Sequence, residues 1–129
     1  MSDMKNKLKA FEDERGCLLP IEFGDLDFEP KRVFVVSNVP VGNIRGNHSH
    51  YKTKQYLICI NGEVNVLLDD GVAKETIHLV KNESILIPEL VWDAQEFLTD
   101  DTEIMVICST GYDLDDYILT YEDFQEAIR

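Results

Sequence analysis

The sequence predicts an all-β protein, a sandwich or barrel of short strands, with a single helix at its C-terminal end. Three observations carry this expectation. Apolar runs of four to eight residues recur through the middle of the chain, each run stops at turn residues, and only the tail has helical spacing.

The runs follow in order. Arg32-Val33-Phe34-Val35-Val36 ends at Ser37-Asn38 and leads to a Pro40-Val41-Gly42 turn. Gln55 to Ile60 runs into Asn61-Gly62, and Glu63 to Asp69 follows; Asn-Gly between two apolar runs is a strong hairpin signal. Asp70-Gly71 repeats that chemistry before Ala73 to Val80. Ser84 to Ile87 stops at Pro88, and Val91 to Phe97 and Thr102 to Cys108 complete the set. In the tail, Tyr121 to Ile128 places Phe124 and Ile128 four apart behind acidic residues in the first turn, so a helix is predicted there. With no repeat, linker or low-complexity segment, residues 1–129 are expected to form one domain.

Composition narrows the function. A formal net charge of −13 argues against nucleic-acid binding, which needs clustered Lys and Arg. No apolar run is long enough to span a membrane, and the opening MSDMKNKLKAFEDERG has no apolar segment of the signal-peptide kind, so a cytoplasmic location is expected. The three cysteines, Cys17, Cys59 and Cys108, lack CxxC spacing and are expected to be buried reduced thiols. The acidic group Asp113, Asp115 and Asp116 lacks the spacing of a calcium loop and is expected to be solvated. His78 alternates with apolar neighbours and is expected to face solvent.

Chemistry concentrates in RGNHSHYKTKQYLICINGE, residues 45–63. His48 and His50 stand one residue apart, so a strand presents both imidazoles on one face, about 7 Å apart. Such a pair serves either as half of a metal site or as acid/base groups. An imidazole near neutrality takes and returns a proton at working pH, which unperturbed Asp and Lys do not.

The spacing of Gly42, His48, His50, Gln55 and Gly62 resembles the first signature of the cupins, with Gln55 in place of its Glu. The second signature is weaker: in Pro88-Glu89-Leu90-Val91-Trp92-Asp93, Leu90 replaces a Gly and Asp93 replaces the metal-binding His. This resemblance implies a double-stranded β-helix, or jelly-roll, barrel of two facing sheets. Its four ligand positions here read His48, His50, Gln55 and Asp93. A neutral amide at Gln55 attracts a divalent ion less than a carboxylate, although two histidines and an aspartate suffice for a facial triad.

Beyond that pattern the chain resembles the nucleotide-sugar 3,4-ketoisomerases, the WxcM-like branch of the cupins. The matching segments are Asp13-Glu14-Arg15-Gly16-Cys17-Leu18 with Ile21-Glu22, Lys31-Arg32-Val33-Phe34, Arg45-Gly46-Asn47-His48-Ser49-His50 with Gln55, Leu68-Asp69-Asp70-Gly71, Val91-Trp92, and the tail Tyr112-Asp113, Asp116-Tyr117-Ile118 and Tyr121-Glu122-Asp123-Phe124. The resemblance implies conversion of TDP-4-keto-6-deoxyglucose to a TDP-3-keto-6-deoxyhexose through an enediol or enediolate. The product would lie on a route to 3-amino-3,6-dideoxy sugars of an O-antigen or S-layer glycan. It further implies no metal or other cofactor, and a homodimer with exchanged N-terminal strands. Two positions depart from the branch: Ser49 replaces an Ala and should point away from the pocket, and Asp93 replaces a His or other cationic side chain. A carboxylate there bears on pocket charge and on the face from which carbon 4 receives its proton.

On this reading His50 moves the carbon-bound proton and His48 serves the oxygens. Arg45 is the candidate to stabilise the enediolate, provided a bend at Gly46 turns it toward the pocket, since a regular strand would point it away. Arg32 and Arg15 are candidates for the diphosphate, where guanidinium forks suit phosphate oxygens. Gln55, Asp93 and Trp92 complete the expected substrate contacts. The alternatives are a metal-dependent cupin enzyme in which His48, His50 and Asp93 hold iron or manganese, and a cupin that binds sugars without catalysis.

Overall fold

The structure, a computed structural model, describes residues 4–129. Its strands are β1 (Lys5–Lys7), β2 (Phe11–Asp13), β3 (Gly16–Leu18), β4 (Arg32–Val36), β5 (Ile44–His50), β6 (Gln55–Asn61), β7 (Glu63–Asp69), β8 (Lys74–Val80), β9 (Glu83–Ile87), β10 (Trp92–Phe97), β11 (Glu103–Cys108) and β12 (Tyr117–Ile118). One helix, α1 (Tyr121–Ala127), follows. One five-stranded sheet runs β1-β9-β6-β11-β4 and the other β12-β5-β10-β7-β8, all antiparallel. This is the predicted all-β architecture.

Period-two alternation explains the core. Leu57 and Cys59 of β6, Val64, Val66 and Leu68 of β7, Ile85 and Ile87 of β9, Phe97 of β10 and Ile104 and Val106 of β11 are all buried in one apolar cluster. The residues between them face outward. On the second sheet that outer face is roofed by α1, which Thr120 caps by accepting a hydrogen bond from the Asp123 N–H at 3.1 Å. Phe124 is fully buried there against Trp92, with ring centroids 5.8 Å apart.

One predicted hairpin is absent. Asp70-Gly71 does turn β7 into β8, with the Asp70 carboxylate accepting the Val72 and Ala73 N–H groups. Asn61-Gly62 does not join paired strands: β6 pairs with β9 and β11, whereas β7 pairs with β8 and β10. The chain crosses there from one sheet to the other. Gly62 suits the corner because its φ is +72° and a Cβ would stand only 2.7 Å from the Thr102 Cα.

The resemblance implied N-terminal strands, and the segment before β4 does contain strands. It forms β1 on the edge of the first sheet and a β2–β3 hairpin. This hairpin leaves Phe11 and Leu18 exposed, and the outer face of β4 adds exposed Val33 and Val35. Of the cysteines, Cys59 and Cys108 are buried as expected; Cys17 is exposed, because it lies in this hairpin rather than under the core. His78 faces solvent as expected, 2.9 Å from Glu63.

Candidate active site

A bulge in β5 builds the site. Asp93 of β10 pairs with His48, but the next residue, Ala94, pairs with Gly46, so Asn47 is left over. Gly46 (φ +91°) and Asn47 (φ +58°) both take the left-handed backbone this extra residue needs. The bulge reverses the alternation of everything before it. Arg45 therefore pairs with Gln95 and shares the inward face with His48, His50 and Asp93. The bend at Gly46 that the sequence required is present.

The two imidazoles meet edge-on, with ring centroids 5.1 Å apart, nearer than strand rise alone would set them. Tyr117 packs against both, 5.4 Å from His48 and 4.5 Å from His50. Its hydroxyl accepts a long hydrogen bond of 3.4 Å from Arg32, and Arg32 also lies over the Phe34 and Tyr112 rings. Burial lowers the proton affinity of both histidines; for His50 the neighbouring His48 and Arg32 lower it further and Asp116 partly offsets this, leaving a pKa of about 4. Both rings are thus neutral and ready to accept a proton at pH 7.

Asp116 holds this arrangement closed. Its carboxylate accepts the Lys52 N–H at 2.9 Å, the Thr53 N–H at 3.1 Å and the Thr53 hydroxyl at 2.5 Å, while its carbonyl accepts the Tyr51 N–H. The turn after His50 is thereby tied to the strand that carries Tyr117. Asp116 is buried, contrary to the solvated loop read in the sequence, because β12 folds back onto β5. Tyr117 figured in the sequence only within the tail motif, and Asp116 only there and in the acidic group; their one legible signal was the Asp-Tyr-Ile string.

Most of the sequence-predicted residues converge here. Gln55 and Arg32 line the same small cavity as His50 and Tyr117, and the Gln55 amide reaches the Cys108 sulfur at 3.6 Å. Asp93 is buried on the same wall, its Oδ1 3.6 Å from the His48 Nε2. Trp92 does not join them. Strand alternation puts it on the outer face, against Tyr121 and Phe124 of α1, so it is a helix-packing residue and not a sugar contact. A wider groove beside Trp92 and Tyr121 holds neither histidine.

Arg15 is also elsewhere in this chain. It pairs with Asp13 at 2.6 Å in the β2–β3 hairpin, whose Cys17 lies near Asn82. Asn82 bonds at the Cys59 end of β6, whereas Gln55 begins the opposite end. Ser49 does point away from the histidine face, pairing with Ile118, and is buried.

Among the described residues no three His, Cys, Asp or Glu side chains converge as a metal-ligand set. The buried thiols are poor nucleophiles: burial, with nearby Glu83 and Glu63, pushes Cys59 up to about 12, and burial also raises Cys108. The titratable groups left facing the barrel are the histidine pair and Asp93, flanked by arginine and tyrosine.

Fold and site together define a cupin with two imidazoles side by side on β5. The chain belongs to the FdtA family (WxcM-like, C-terminal), whose model matches residues 2–129. It is 35% identical over 130 residues to the TDP-4-oxo-6-deoxy-alpha-D-glucose-3,4-oxoisomerase of Aneurinibacillus thermoaerophilus, covering 97% of this chain and 94% of that protein. A histidine-to-asparagine mutant of the 3,4-ketoisomerase QdtA from Thermoanaerobacterium thermosaccharolyticum, in complex with TDP-4-keto-6-deoxyglucose, superposes with a TM-score of 0.88 at 34% identity, over 95% of this chain and 90% of that one. A 3,4-ketoisomerase from Helicobacter canadensis gives 0.89 at 26% identity, over 96% and 95%.

Proposed function

We propose that the chain is a nucleotide-sugar 3,4-ketoisomerase, converting TDP-4-keto-6-deoxyglucose to a TDP-3-keto-6-deoxyhexose on a route to 3-amino-3,6-dideoxy sugars. One observation carries this: two neutral imidazoles 5.1 Å apart on one inner wall, with Tyr117 and Arg32 closing over them. The named substrates of its relatives supply the ligand.

His50 takes the proton from carbon 3, and the electron pair moves into a carbon 3–carbon 4 double bond as the carbon 4 carbonyl becomes an enediolate oxygen. Carbon 4 then receives a proton from His50, whose N–H exchanges with solvent while the enediolate persists, and the oxygen on carbon 3 gives up its own proton and becomes the new ketone. His48 moves that second proton from one oxygen to the other. Because burial disfavours the imidazolium of His50, a proton it has taken is readily returned. Arg32, and Arg45 brought inward by the bulge, stabilise the enediolate and diphosphate charge. Each acid/base group of this kind contributes about 10²–10⁴-fold.

The enzyme acts as a homodimer with exchanged N-terminal strands, in the cytoplasm, as one domain of 129 residues. Supporting the dimer are the exposed Phe11, Leu18, Phe23, Val33 and Val35. Exchange of β1 would carry the adjoining hairpin, with Arg15, to the neighbouring protomer. No helix of the described residues is long and apolar enough to cross a membrane.

Incubation with TDP-4-keto-6-deoxyglucose in D₂O tests the reaction. A product with its ketone at carbon 3 and deuterium at carbon 4 is expected, and a His50→Asn variant should form none. Wild type that yields neither exchange nor a new ketosugar, matching His50→Asn, would instead leave a sugar-binding cupin.

A further inference from the structure

We propose that Asp93 is the proton store of His48: facing it across the β5–β10 pair, its carboxyl supplies and takes back the proton that His48 moves between the sugar oxygens. This rests on the ketoisomerase reading of the site. His48 alone is poorly equipped as an acid, because burial lowers its proton affinity and leaves it neutral.

Asp93 has what His48 lacks. It is 1% exposed, and its Oδ1 has no hydrogen-bond partner although it is buried. That oxygen lies 3.6 Å from the His48 Nε2, just beyond hydrogen-bond length, in a register fixed by the bulge. Burial pushes Asp93 up to about 7, with the Gln95 amide pulling the other way, so at neutrality the carboxyl often carries a proton. The groups facing the pair are His50 and Arg45 from β5, Gln95 from β10, apolar Leu68 and Val66 from β7, Tyr117 from β12 and Arg32 from β4.

The proton balance closes. When the enediolate oxygen on carbon 4 takes a proton from His48, His48 is refilled by Asp93 and the negative charge passes to the carboxylate. When the carbon 3 hydroxyl loses its proton, His48 takes it and returns it to Asp93. Nothing is consumed.

An Asp93→Asn variant keeps the shape and removes the store. With substrate deuterated at carbon 3, deuterium loss to water through His50 should stay within about threefold of wild type, while 3-keto product formation falls at least about tenfold. The ratio of exchange to product therefore rises. Equal loss of both, as from a merely structural defect, would overturn the proposal, and so would no loss of either. In the wild type, the Asp93 carboxyl carbon, assigned by its absence from Asp93→Asn, should titrate near neutrality by NMR and move in His48→Gln. A resonance indifferent to His48 also overturns it. That titration needs no substrate, so wild type without turnover would refute the ketoisomerase reading while the Asp93–His48 coupling is still measured.

Discussion

Tyr117 and His50 face each other across the short β5–β12 pair, with ring centroids 4.5 Å apart. The ring of Tyr117 is therefore part of the cover that dries His50. Replacing it by Ala should let water in and raise His50 from about 4 back toward its ordinary value, because burial is the largest cause of its depression. Histidine proton NMR titration reads this directly. Tyr117→Phe should leave that value low while freeing Arg32, so its effect should appear in the affinity for the nucleotide sugar. A His50 value unchanged by Tyr117→Ala would show that other walls keep it dry.

Asp116 should matter to both stability and proton affinity. Asp116→Ala leaves the Lys52 and Thr53 N–H groups and the Thr53 hydroxyl without their acceptor, at a cost of about 1–3 kcal/mol, visible as a melting temperature several degrees lower. Asp116→Asn removes the charge that favours protonated His50, so the His50 value should fall further. A value that rises in Asp116→Asn would contradict the assigned electrostatics.

Strand alternation made most of the fold legible: the seven apolar runs of the middle are all strands, within a residue or so at their ends. The sheet partners were not legible, because the local chemistry of Asn61-Gly62 is the same for a hairpin and for a corner between sheets. In the site, the spacing of Gly42, His48, His50 and Gln55 located the wall that carries both histidines. Trp92 was misplaced for want of parity: one residue from Asp93, it must face the other side of the sheet. Asp116 and Tyr117 lie far along the chain, and only the β5–β12 pairing brings them to the histidines. A two-residue strand has no period to read.

Ser49 offers a stabilising change. Its hydroxyl is buried without a hydrogen-bond partner on the face away from the histidines. Ser49→Ala removes an unsatisfied polar group and should add about 1 kcal/mol, raising the melting temperature by a few degrees with turnover unchanged. Thermal unfolding that shows a lower midpoint would mean the hydroxyl is satisfied in solution.

Asp93 and His50 should act oppositely on stability as pH changes. Folding raises Asp93 to about 7 from an ordinary value near 4, so between these limits the native state holds the extra proton. Its contribution is full below about pH 4 and is lost as pH rises through about 7. His50 is lowered to about 4, so its contribution is full above about pH 6.5 and is lost as pH falls toward 4. His48, also lowered, acts in the same sense as His50. The opposed slopes cancel only in part, two histidines against one carboxyl, so the wild-type melting temperature should rise gently with pH between about pH 4 and 6.5. Asp93→Asn removes the opposing slope: its stability should climb more steeply with pH and exceed that of wild type at pH 7.5 by up to about 4 kcal/mol. Parallel melting curves for the two proteins across this range would rule out a strongly raised Asp93.

Gly46 is the residue on which the phase of the site depends. Its φ of +91° is one that L side chains rarely adopt, and an added Cβ would stand 3.0 Å from the Gln95 Oε1 and 3.1 Å from the Ala94 Cα. Gly46→Ala therefore strains both the backbone and the contact with β10, at about 1–2 kcal/mol for the backbone alone. The strand relieves that strain by losing the bulge. Because one residue of register turns each side chain to the opposite face, Arg45 would then leave the inward wall while His48 and His50 stay paired with β10 and β12. Gly46→Ala should thus lower turnover far more than it lowers the melting temperature. A second variant separates the causes: Arg45→Gln keeps the bulge and should reproduce the loss of turnover with no loss of stability. Full turnover in Arg45→Gln would show that the bulge serves the histidines alone.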